Sequence, residues 1–339
     1  MEVLLGKTLA ELQEAALSVG LQKFAGKQLA EWLYGKRVTS FDQMTNISTK
    51  GREALKARYT IGRYAPVREA VSKDGTKTYL FGIGEQFIES VYIPEDDRTT
   101  LCVSTQAGCK MGCKFCMTGT LGFHGHLSAA DILNQIFYFE DLTNLVFMGE
   151  GEPMDNIDNV LRVLEIMTAD YGCAWSPKRI TVSTVGIPAM KRFLDESECH
   201  LAVSMHNPFP IERQEIMPAE KMMSISDVVS LLKQYDWSHQ RRVSFEYICW
   251  AGQNDTPRHA KELLRLLKRL PCRINLIRFH EGVEEIKSER HFQASNEKQM
   301  EWFRDYLTTN GITTTIRKSR GEDILAACGM LVNSLQHLA

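Results

Sequence analysis

The chain has 339 residues, of which 44% are hydrophobic and 9% aromatic, so it can bury a substantial core in one large or two modest domains. Its formal net charge of −2 excludes a protein that binds nucleic acid through a uniformly basic surface, but leaves room for one local basic face. The sequence has no run of about 18 apolar residues, so it predicts no membrane span.

Residues 1–60 are predicted to form a helical domain. Thr8 can cap a helix with apolar residues at helical spacing, and further helices are predicted over 28–34 and 49–59. The acidic and basic residues Glu2 and Lys7 are not typical of a secretory leader. Because nine cysteines in such a chain indicate a reducing compartment, we expect a cytoplasmic protein.

The pattern changes over residues 61–98, which are predicted to form a small β extension. Two short strands flank Asp74-Gly75, a dipeptide typical of a hairpin turn, and a third strand is predicted over 87–93. This extension is expected to lead into the last and largest unit, residues 99–339.

From Thr99 onward, strands and helices alternate, which is typical of an α/β fold with a parallel sheet. Strands are predicted over 101–105, 145–148, 179–183, 201–204, 243–249 and 273–279. Helices are predicted near 128–139, 156–168, 187–195, 224–235, 257–269 and 296–309. Six β/α units place functional residues at the carboxyl ends of the strands.

Three cysteines, Cys109, Cys113 and Cys116, lie in one short loop after the first of these strands. A 4Fe–4S cluster is usually held by four thiolates, so three leave one iron open to a small molecule. Structural zinc takes four ligands, typically in two pairs, and the chain has no second Cys-x-x-Cys pair. A ferredoxin-like electron relay and three ordinary buried cysteines are the alternatives.

Polar or glycine-rich residues follow several of the other predicted strands. They occur at 149–153, 183–186, 204–206 and 278–280. Small residues let a ligand approach the backbone, and carboxylates or hydroxyls can hold its polar groups. Because these segments meet at one end of a parallel sheet, they indicate a single ligand.

The cysteine spacing, with Phe115 before the last cysteine, resembles the radical S-adenosylmethionine (SAM) superfamily. This resemblance implies a partial, open (β/α)6 barrel and a 4Fe–4S cluster held by Cys109, Cys113 and Cys116. It also implies that SAM binds the open iron, where one electron from the cluster cleaves it to a 5′-deoxyadenosyl radical.

A narrower resemblance covers nearly the whole chain. The segments 102–118, 149–153, 204–208, 245–255, 275–279 and 317–329 resemble the RlmN-type RNA methyltransferases, which methylate C2 of adenine. The resemblance implies that Cys328 takes a methyl group from a first SAM, and that the radical made from a second SAM removes a hydrogen atom from it. The resulting methylene radical adds to C2 and links protein to RNA.

The same resemblance implies how the product leaves. Glu89 would accept the C2 proton, and Cys102 would attack the sulfur of Cys328, forming a disulfide that an external reductant must reopen. It assigns the SAM contacts to Gly151, Glu152, Ser183, Ser204, Met205, His206 and His280. At His280 the family usually has asparagine, and an imidazole can replace only part of an amide's hydrogen bonding.

The resemblance implies that the partners are 23S rRNA, tRNA and an external electron donor such as flavodoxin or ferredoxin. We expect a monomer that does not bind a membrane. Basic segments that could contact phosphate are Lys36-Arg37, Lys178-Arg179, Arg241-Arg242, Lys268-Arg269 and Arg317-Lys318-Ser319-Arg320. The N-terminal helical domain resembles the family's accessory RNA-binding domain.

Three alternative functions stay open: methylation of adenine C8, hydrogen abstraction from a protein glycine by a glycyl-radical activase, and a non-catalytic iron–sulfur RNA-binding protein.

Overall fold

The structure is a computed structural model that describes residues 1–237, 242–280, 292–326 and 329–331. Its N-terminal part consists of β1 (Glu2–Val3), α1 (Leu9–Ser18), α2 (Ala25–Ala30), α3 (Thr49–Arg58) and β2 (Tyr59–Thr60). The predicted cap is confirmed, since the Thr8 hydroxyl accepts the N–H of Glu11 and the Glu11 carboxylate accepts the N–H of Thr8. The predicted second helix begins earlier, at Ala25, and ends in a π-helical turn.

Side chains join this part to the rest of the molecule. Glu11 forms an ion pair with Arg162, and the Arg37 guanidinium donates to the carbonyl of Phe139 at 2.7 Å. The two parts therefore pack against each other, and the domain boundary at residue 60 stays a prediction.

The predicted hairpin around Asp74-Gly75 is confirmed, and it belongs to a meander of three antiparallel strands. These are β3 (Arg68–Val71), β4 (Lys77–Ile83) and β5 (Gln86–Pro94). The meander continues into β6 (Thr99–Cys102), because Val91 on β5 lies opposite Cys102. The extension is therefore part of the main sheet.

The alternating region contains all six predicted parallel strands. Its elements are β7 (Gln106–Gly108), α4 (Met117–Thr120), β8 (Phe123–His126), α5 (Ala129–Phe137), β9 (Asn144–Phe147), α6 (Ile157–Thr168), β10 (Ile180–Thr184), α7 (Met190–Glu196), β11 (His200–Ser204), α8 (Pro210–Ile216), α9 (Ile225–Leu232), β12 (Val243–Cys249), α10 (Pro257–Leu266), β13 (Cys272–Arg278), α11 (Glu297–Thr309) and β14 (Thr313–Ile316). The last strand, β14, is a seventh parallel strand that was not predicted. It is short and rich in threonine, so it lacks the alternating apolar pattern of a strand.

The ten strands of the main sheet follow the order β14-β13-β12-β11-β10-β9-β6-β5-β4-β3. The α/β class and the open barrel are therefore confirmed, with β3 and β14 at the two edges. The segment after β14 reaches across the gap between these edges: the N–H of Gly321 donates to Asp74 at 3.1 Å, and Asp323 accepts the N–H of Lys73 at 3.2 Å. Among the described residues, none of the helices combines the length and the apolar content that crossing a bilayer requires.

Candidate active site

Two cavities lie inside the open barrel. The upper cavity, at the carboxyl ends of the strands, has a volume of about 140 Å³ and is lined by the three clustered cysteines and by residues that follow the strands. The lower cavity, toward the amino ends of the strands, has a volume of about 530 Å³ and is lined by Cys102 and many basic side chains. Met148 and Gly329 line both cavities, so the two adjoin each other.

The cysteine loop, residues 109–116, lies between the two strands of the short hairpin formed by β7 and β8. Gly108 has a φ of +70°, and a Cβ at this position would lie 1.9 Å from the carbonyl oxygen of Gly122, so only glycine fits. The N–H of Cys109 donates to that same carbonyl at 2.8 Å. Beyond the loop, the N–H of Met117 donates to the carbonyl of Gly329 at 2.8 Å. The loop is therefore fixed at both ends.

The three thiols fit a cluster better than a single ion. Burial raises the pKa of Cys109 to about 12, and it also raises the pKa values of Cys113 and Cys116, so the thiols stay neutral without a strong positive charge beside them. Iron supplies such a charge. In the part of the chain that the structure describes, no three His, Cys, Asp or Glu side chains converge on one metal ion. Cys109, Cys113 and Cys116 would together hold a 4Fe–4S cluster, which is usually bound by cysteine thiolates.

Glu152 is fixed at the edge of the upper cavity. One of its carboxylate oxygens accepts the N–H of Val185 at 2.8 Å, and the other accepts the N–H of Met154 at 3.0 Å. Burial raises the pKa of Glu152 to about 7, so a ligand with a positive charge would favour its ionised form. Gly151 precedes it with a φ of +96°, and a Cβ there would lie 2.5 Å from Gln106.

His206 lines the upper cavity beside the cysteine loop. Its ring packs edge-on against Phe115, with 4.8 Å between ring centroids, and its Nδ1 accepts the N–H of Ile248 at 3.0 Å. Burial lowers the pKa of His206 to about 3, so the ring is neutral. With Nδ1 as acceptor, the proton belongs on Nε2, which makes this nitrogen a hydrogen-bond donor.

Five of the seven predicted SAM contacts line the upper cavity together with the cysteines. They are Gly151, Glu152, Ser183, Ser204 and His206. The other two lie elsewhere: Met205 is fully buried and does not line the cavity, whereas His280 lines a separate cavity and shares a hydrogen bond of 2.9 Å with Ser319.

Of the predicted catalytic residues, Cys102 lines the lower cavity, Glu89 lines neither cavity, and Cys328 lies outside the described residues. Cys102 is buried on β6 and lines this cavity, opposite Val91 of β5. Glu89 is also buried and lies two residues before Val91, so both side chains point to the same face of the sheet. Cys328 lies outside the described residues, but Ala326 and Gly329, which flank it in sequence, both line the lower cavity.

The predicted disulfide between Cys102 and Cys328 stays a prediction. No disulfide joins two cysteines of the described ranges. Since Cys328 falls outside those ranges, the pairing is not tested.

Three buried charged residues near the upper cavity were not predicted. Arg213 is fully buried, forms an ion pair with Glu220, and donates to the carbonyls of Met205 at 3.0 Å and Ser204 at 2.8 Å. Glu150 accepts the N–H of Glu89 at 2.9 Å. The Gly-Glu-Gly-Glu run was visible in the sequence, but charged residues are usually exposed, so burial of Glu150 was not expected.

Three of the predicted basic segments contribute residues to the lower cavity. Lys178, Arg317, Lys318 and Arg320 line it, together with Arg242. The structure adds three basic or titratable residues that were not predicted there, namely Arg98, His200 and Arg273. Lys36 instead packs over the ring of Trp32 in the N-terminal part, 3.7 Å from its centroid.

Two family models match the chain. Residues 3–61 match the ribosomal RNA large subunit methyltransferase N-terminal domain, and residues 103–267 match the radical SAM superfamily. A solved structure, a radical SAM methyltransferase from Sphaerobacter thermophilus, is 35% identical, covers 97% of this chain and 99% of its own, and superposes with a TM-score of 0.89.

Curated relatives match over nearly the full length. A probable dual-specificity RNA methyltransferase RlmN from Bacteroides thetaiotaomicron is 56% identical over 340 residues, which cover 98% of this chain and 96% of the relative. A dual-specificity RNA methyltransferase RlmN from Geobacter sulfurreducens is 38% identical and covers 98% and 92%. This chain therefore belongs to the RlmN family of radical SAM enzymes, which use SAM and a 4Fe–4S cluster held by three cysteines.

Proposed function

We propose that this protein methylates C2 of a specific adenine in 23S rRNA, and C2 of the adenine next to the anticodon in tRNA, through a methyl-cysteine intermediate. The observation that carries the proposal is the contact between the two cavities. Cys102, Ala326 and Gly329 line the lower cavity, and Gly329 also lines the upper cavity with the three clustered cysteines. A radical formed above would therefore arise beside the residues that flank Cys328.

The upper cavity would hold both the cluster and SAM. Cys109, Cys113 and Cys116 would hold the cluster, and Gly151, Glu152, Ser183, Ser204 and His206 would bind SAM. When bound, these cofactors supply a 5′-deoxyadenosyl radical that removes a hydrogen atom. Glu152, whose carboxylate accepts two backbone N–H groups, would supply a negative charge for the ammonium group of SAM. We do not extend the proposal to Met205 and His280, because neither lines the upper cavity.

The two thiols and one carboxylate would carry out the transfer. Adenine C2 is electron-poor and has no lone pair, so it cannot attack a methyl group directly, and Cys328 would carry the carbon instead. Glu89 would accept the C2 proton, and the unpaired electron of the adduct would return to the cluster, which supplies one electron for the cleavage of SAM. The thiolate of Cys102 would then attack the sulfur of Cys328 and break its bond to carbon, whose electron pair takes up a proton. An external reductant would return two electrons to the disulfide.

We also propose a compartment, an electron donor and an oligomeric state for the enzyme. Nine cysteines suit a reducing cytoplasm, and flavodoxin or ferredoxin would supply the single electrons. We propose that the enzyme acts as a monomer.

The test is methylation by the anaerobically reconstituted protein. It is incubated with SAM, a reductant and RNA fragments that contain the candidate adenines, and RNA digests are analysed by mass spectrometry. We expect 2-methyladenosine. A digest with only 8-methyladenosine would support the C8 alternative, and SAM cleavage without any methylated adenosine would contradict RNA methylation.

Cysteine variants separate this function from a glycyl-radical activase. Cys328→Ala should abolish methylation but leave SAM cleavage, whereas an activase would be unaffected. Cys102→Ala should accumulate a covalent protein–RNA adduct, because no thiol releases the product. Cys272→Ser is a matched control, since this cysteine lines neither cavity. An active Cys328→Ala enzyme would refute the proposed intermediate.

A further inference from the structure

We propose that Arg213 is a positioning residue for SAM: its guanidinium fixes the backbone that follows β10 and β11, so that the SAM-binding side chains of both segments face the upper cavity together. This role rests on the SAM site of the proposed function and adds a residue outside it. Arg213 lies on α8, is fully buried and does not line the upper cavity. It would therefore act through backbone groups and not through contact with SAM.

The hydrogen bonds of Arg213 connect two neighbouring strands of the sheet. Its Nη2 donates to the carbonyl of Val185, after β10, at 2.6 Å and to that of Ser204, at the end of β11, at 2.8 Å. Its Nε donates to the carbonyl of Met205 at 3.0 Å, and its Nη1 donates to the carboxylate of Glu220. A guanidinium offers five donors in a planar fork, whereas lysine offers three from one atom. Only arginine can therefore bond all these acceptors at once.

Val185 connects Arg213 to the carboxylate that would face the ammonium group of SAM. The N–H of Val185 donates to Glu152 at 2.8 Å, and its carbonyl accepts the bond from Arg213. Val185 and Glu152 both line the upper cavity. If the bond to Arg213 is lost, Val185 is free to shift, and its N–H then no longer holds the Glu152 carboxylate in one orientation.

His206 adopts a strained backbone conformation that Arg213 helps to maintain. Its φ is +54°, in the left-handed region that residues other than glycine rarely adopt. The carbonyl before His206, that of Met205, accepts the bond from Arg213, and its own carbonyl accepts from Asn254 at 2.7 Å. Such a conformation persists only where surrounding contacts fix it. Arg213 therefore helps to keep the His206 ring directed into the upper cavity.

The helix that carries Arg213 also contacts the cysteine loop. α8 ends at Ile216, whose carbonyl accepts the N–H of Lys114 at 3.0 Å. Lys114 directly follows Cys113 in the loop. The same short helix therefore contacts the strand ends that would bind SAM and the loop that would hold the cluster, which fixes these two parts of the upper cavity relative to each other.

Stability alone does not account for an arginine at this position. A buried ion pair is weak evidence for stability, because well-packed apolar residues can often replace it without loss. Three of the four hydrogen bonds of Arg213 go instead to backbone carbonyls beside the upper cavity. We therefore expect the stability of the fold and the affinity for SAM to respond differently to substitutions of Arg213 and Glu220.

The experiment titrates SAM into the reduced, reconstituted holoenzyme and follows the change in the paramagnetic signal of the cluster. Arg213→Lys and Arg213→Met/Glu220→Met are compared with Glu220→Gln, a matched control that weakens the same ion pair but leaves the guanidinium to hold the carbonyls. We expect both variants of Arg213 to bind SAM about tenfold more weakly, the effect of losing one hydrogen bond from a charged donor. Glu220→Gln should bind SAM as the wild type does.

The free energy of unfolding and the iron content are measured on the same proteins. The double variant should be more stable than Arg213→Met and should keep the cluster, yet still bind SAM weakly. Wild-type SAM affinity in either variant of Arg213 would overturn the positioning role. An equal loss of SAM affinity in Glu220→Gln would also overturn it, because affinity would then follow the ion pair. Loss of the cluster in the variants of Arg213 would assign the residue to cluster binding instead.

RNA methylation by the wild type separates this role from the proposed function. If the wild type forms no methyladenosine but the variants of Arg213 bind SAM weakly, the positioning role holds and the function fails. If the wild type methylates adenine and the variants of Arg213 bind SAM equally well, the positioning role is wrong although the function holds.

Discussion

The upper and lower cavities adjoin at Met148 and Gly329, but they differ in volume, charge and the way their walls are held. The upper cavity is about 140 Å³ and is lined by three buried or half-buried thiols and by glycines and polar groups that the backbone fixes. The lower cavity is about 530 Å³ and carries exposed lysines and arginines at its opening. Fixed, desolvated groups suit a cofactor of defined shape, whereas exposed charges suit a polymer with repeating phosphates.

The comparison suggests that the fold separates generation of the radical from selection of its target. If so, changes at the upper cavity should affect the cofactor or the stability of the fold. Changes at the basic rim, by which we mean the exposed Lys178, Arg242, Arg273 and Lys318 of the lower cavity, should affect RNA alone.

Cys113→Ser should abolish the cluster. A hydroxyl is a poor replacement for a thiolate ligand. Because three cysteines would hold the cluster, the loss of one leaves two thiolate ligands, too few to retain it. Iron and sulfide content and the visible absorbance of the reconstituted protein measure the loss, and SAM cleavage should disappear with them. Cys272→Ser should retain the cluster, and full iron content in Cys113→Ser would exclude this cysteine as a ligand.

Arg213→Met should destabilise the fold by about 3–5 kcal/mol, because it leaves the buried carboxylate of Glu220 without its partner. Chemical denaturation under anaerobic conditions measures the free energy of unfolding. Arg273→Glu, which changes an exposed residue of the basic rim, should stay within about 0.5 kcal/mol of the wild type. The double variant Arg213→Met/Glu220→Met should recover much of the loss; equal costs for Arg213 and Arg273 would contradict the comparison.

Glu150→Gln should change how stability depends on pH. Burial raises the pKa of Glu150 to about 8, so the folded protein binds the carboxyl proton more tightly than the unfolded chain does. The resulting stabilisation is complete at pH values below the ordinary pKa of glutamate, and it is lost as the pH rises through about 8. At pH 5 the variant should be less stable by about 1–3 kcal/mol, because the amide can satisfy only one of the N–H groups of Glu89 and Gly108. Denaturation at pH 5, 7 and 9 should show the two proteins converging; parallel curves would show that Glu150 does not titrate as proposed.

Much of the fold could be predicted because its signals are local. The Thr8 cap, the Asp74-Gly75 turn and the strand over Val243–Cys249 depend on residues close together in sequence. The threonine-rich strand β14 could not be predicted, since its place is set by pairing with β13 and not by its own pattern.

The candidate site also has a part that could be predicted from local sequence and a part that could not. The cysteine loop is visible as a spacing, but the basic rim forms only when parallel pairing brings the starts of β10, β12 and β13 to one end of the sheet. Arg273 gave no signal of its own within its strand. The burial of Arg213 and Glu150 was also hidden, because it depends on partners from other segments.

The most direct test of the division between the cavities is electron paramagnetic resonance of the reduced, reconstituted holoenzyme, with and without SAM, for the wild type and Arg273→Glu. We expect a paramagnetic signal that SAM alters in the same way in both proteins, although only the wild type binds RNA tightly. Absence of a signal after reduction, or a response to SAM that Arg273→Glu removes, would contradict the account.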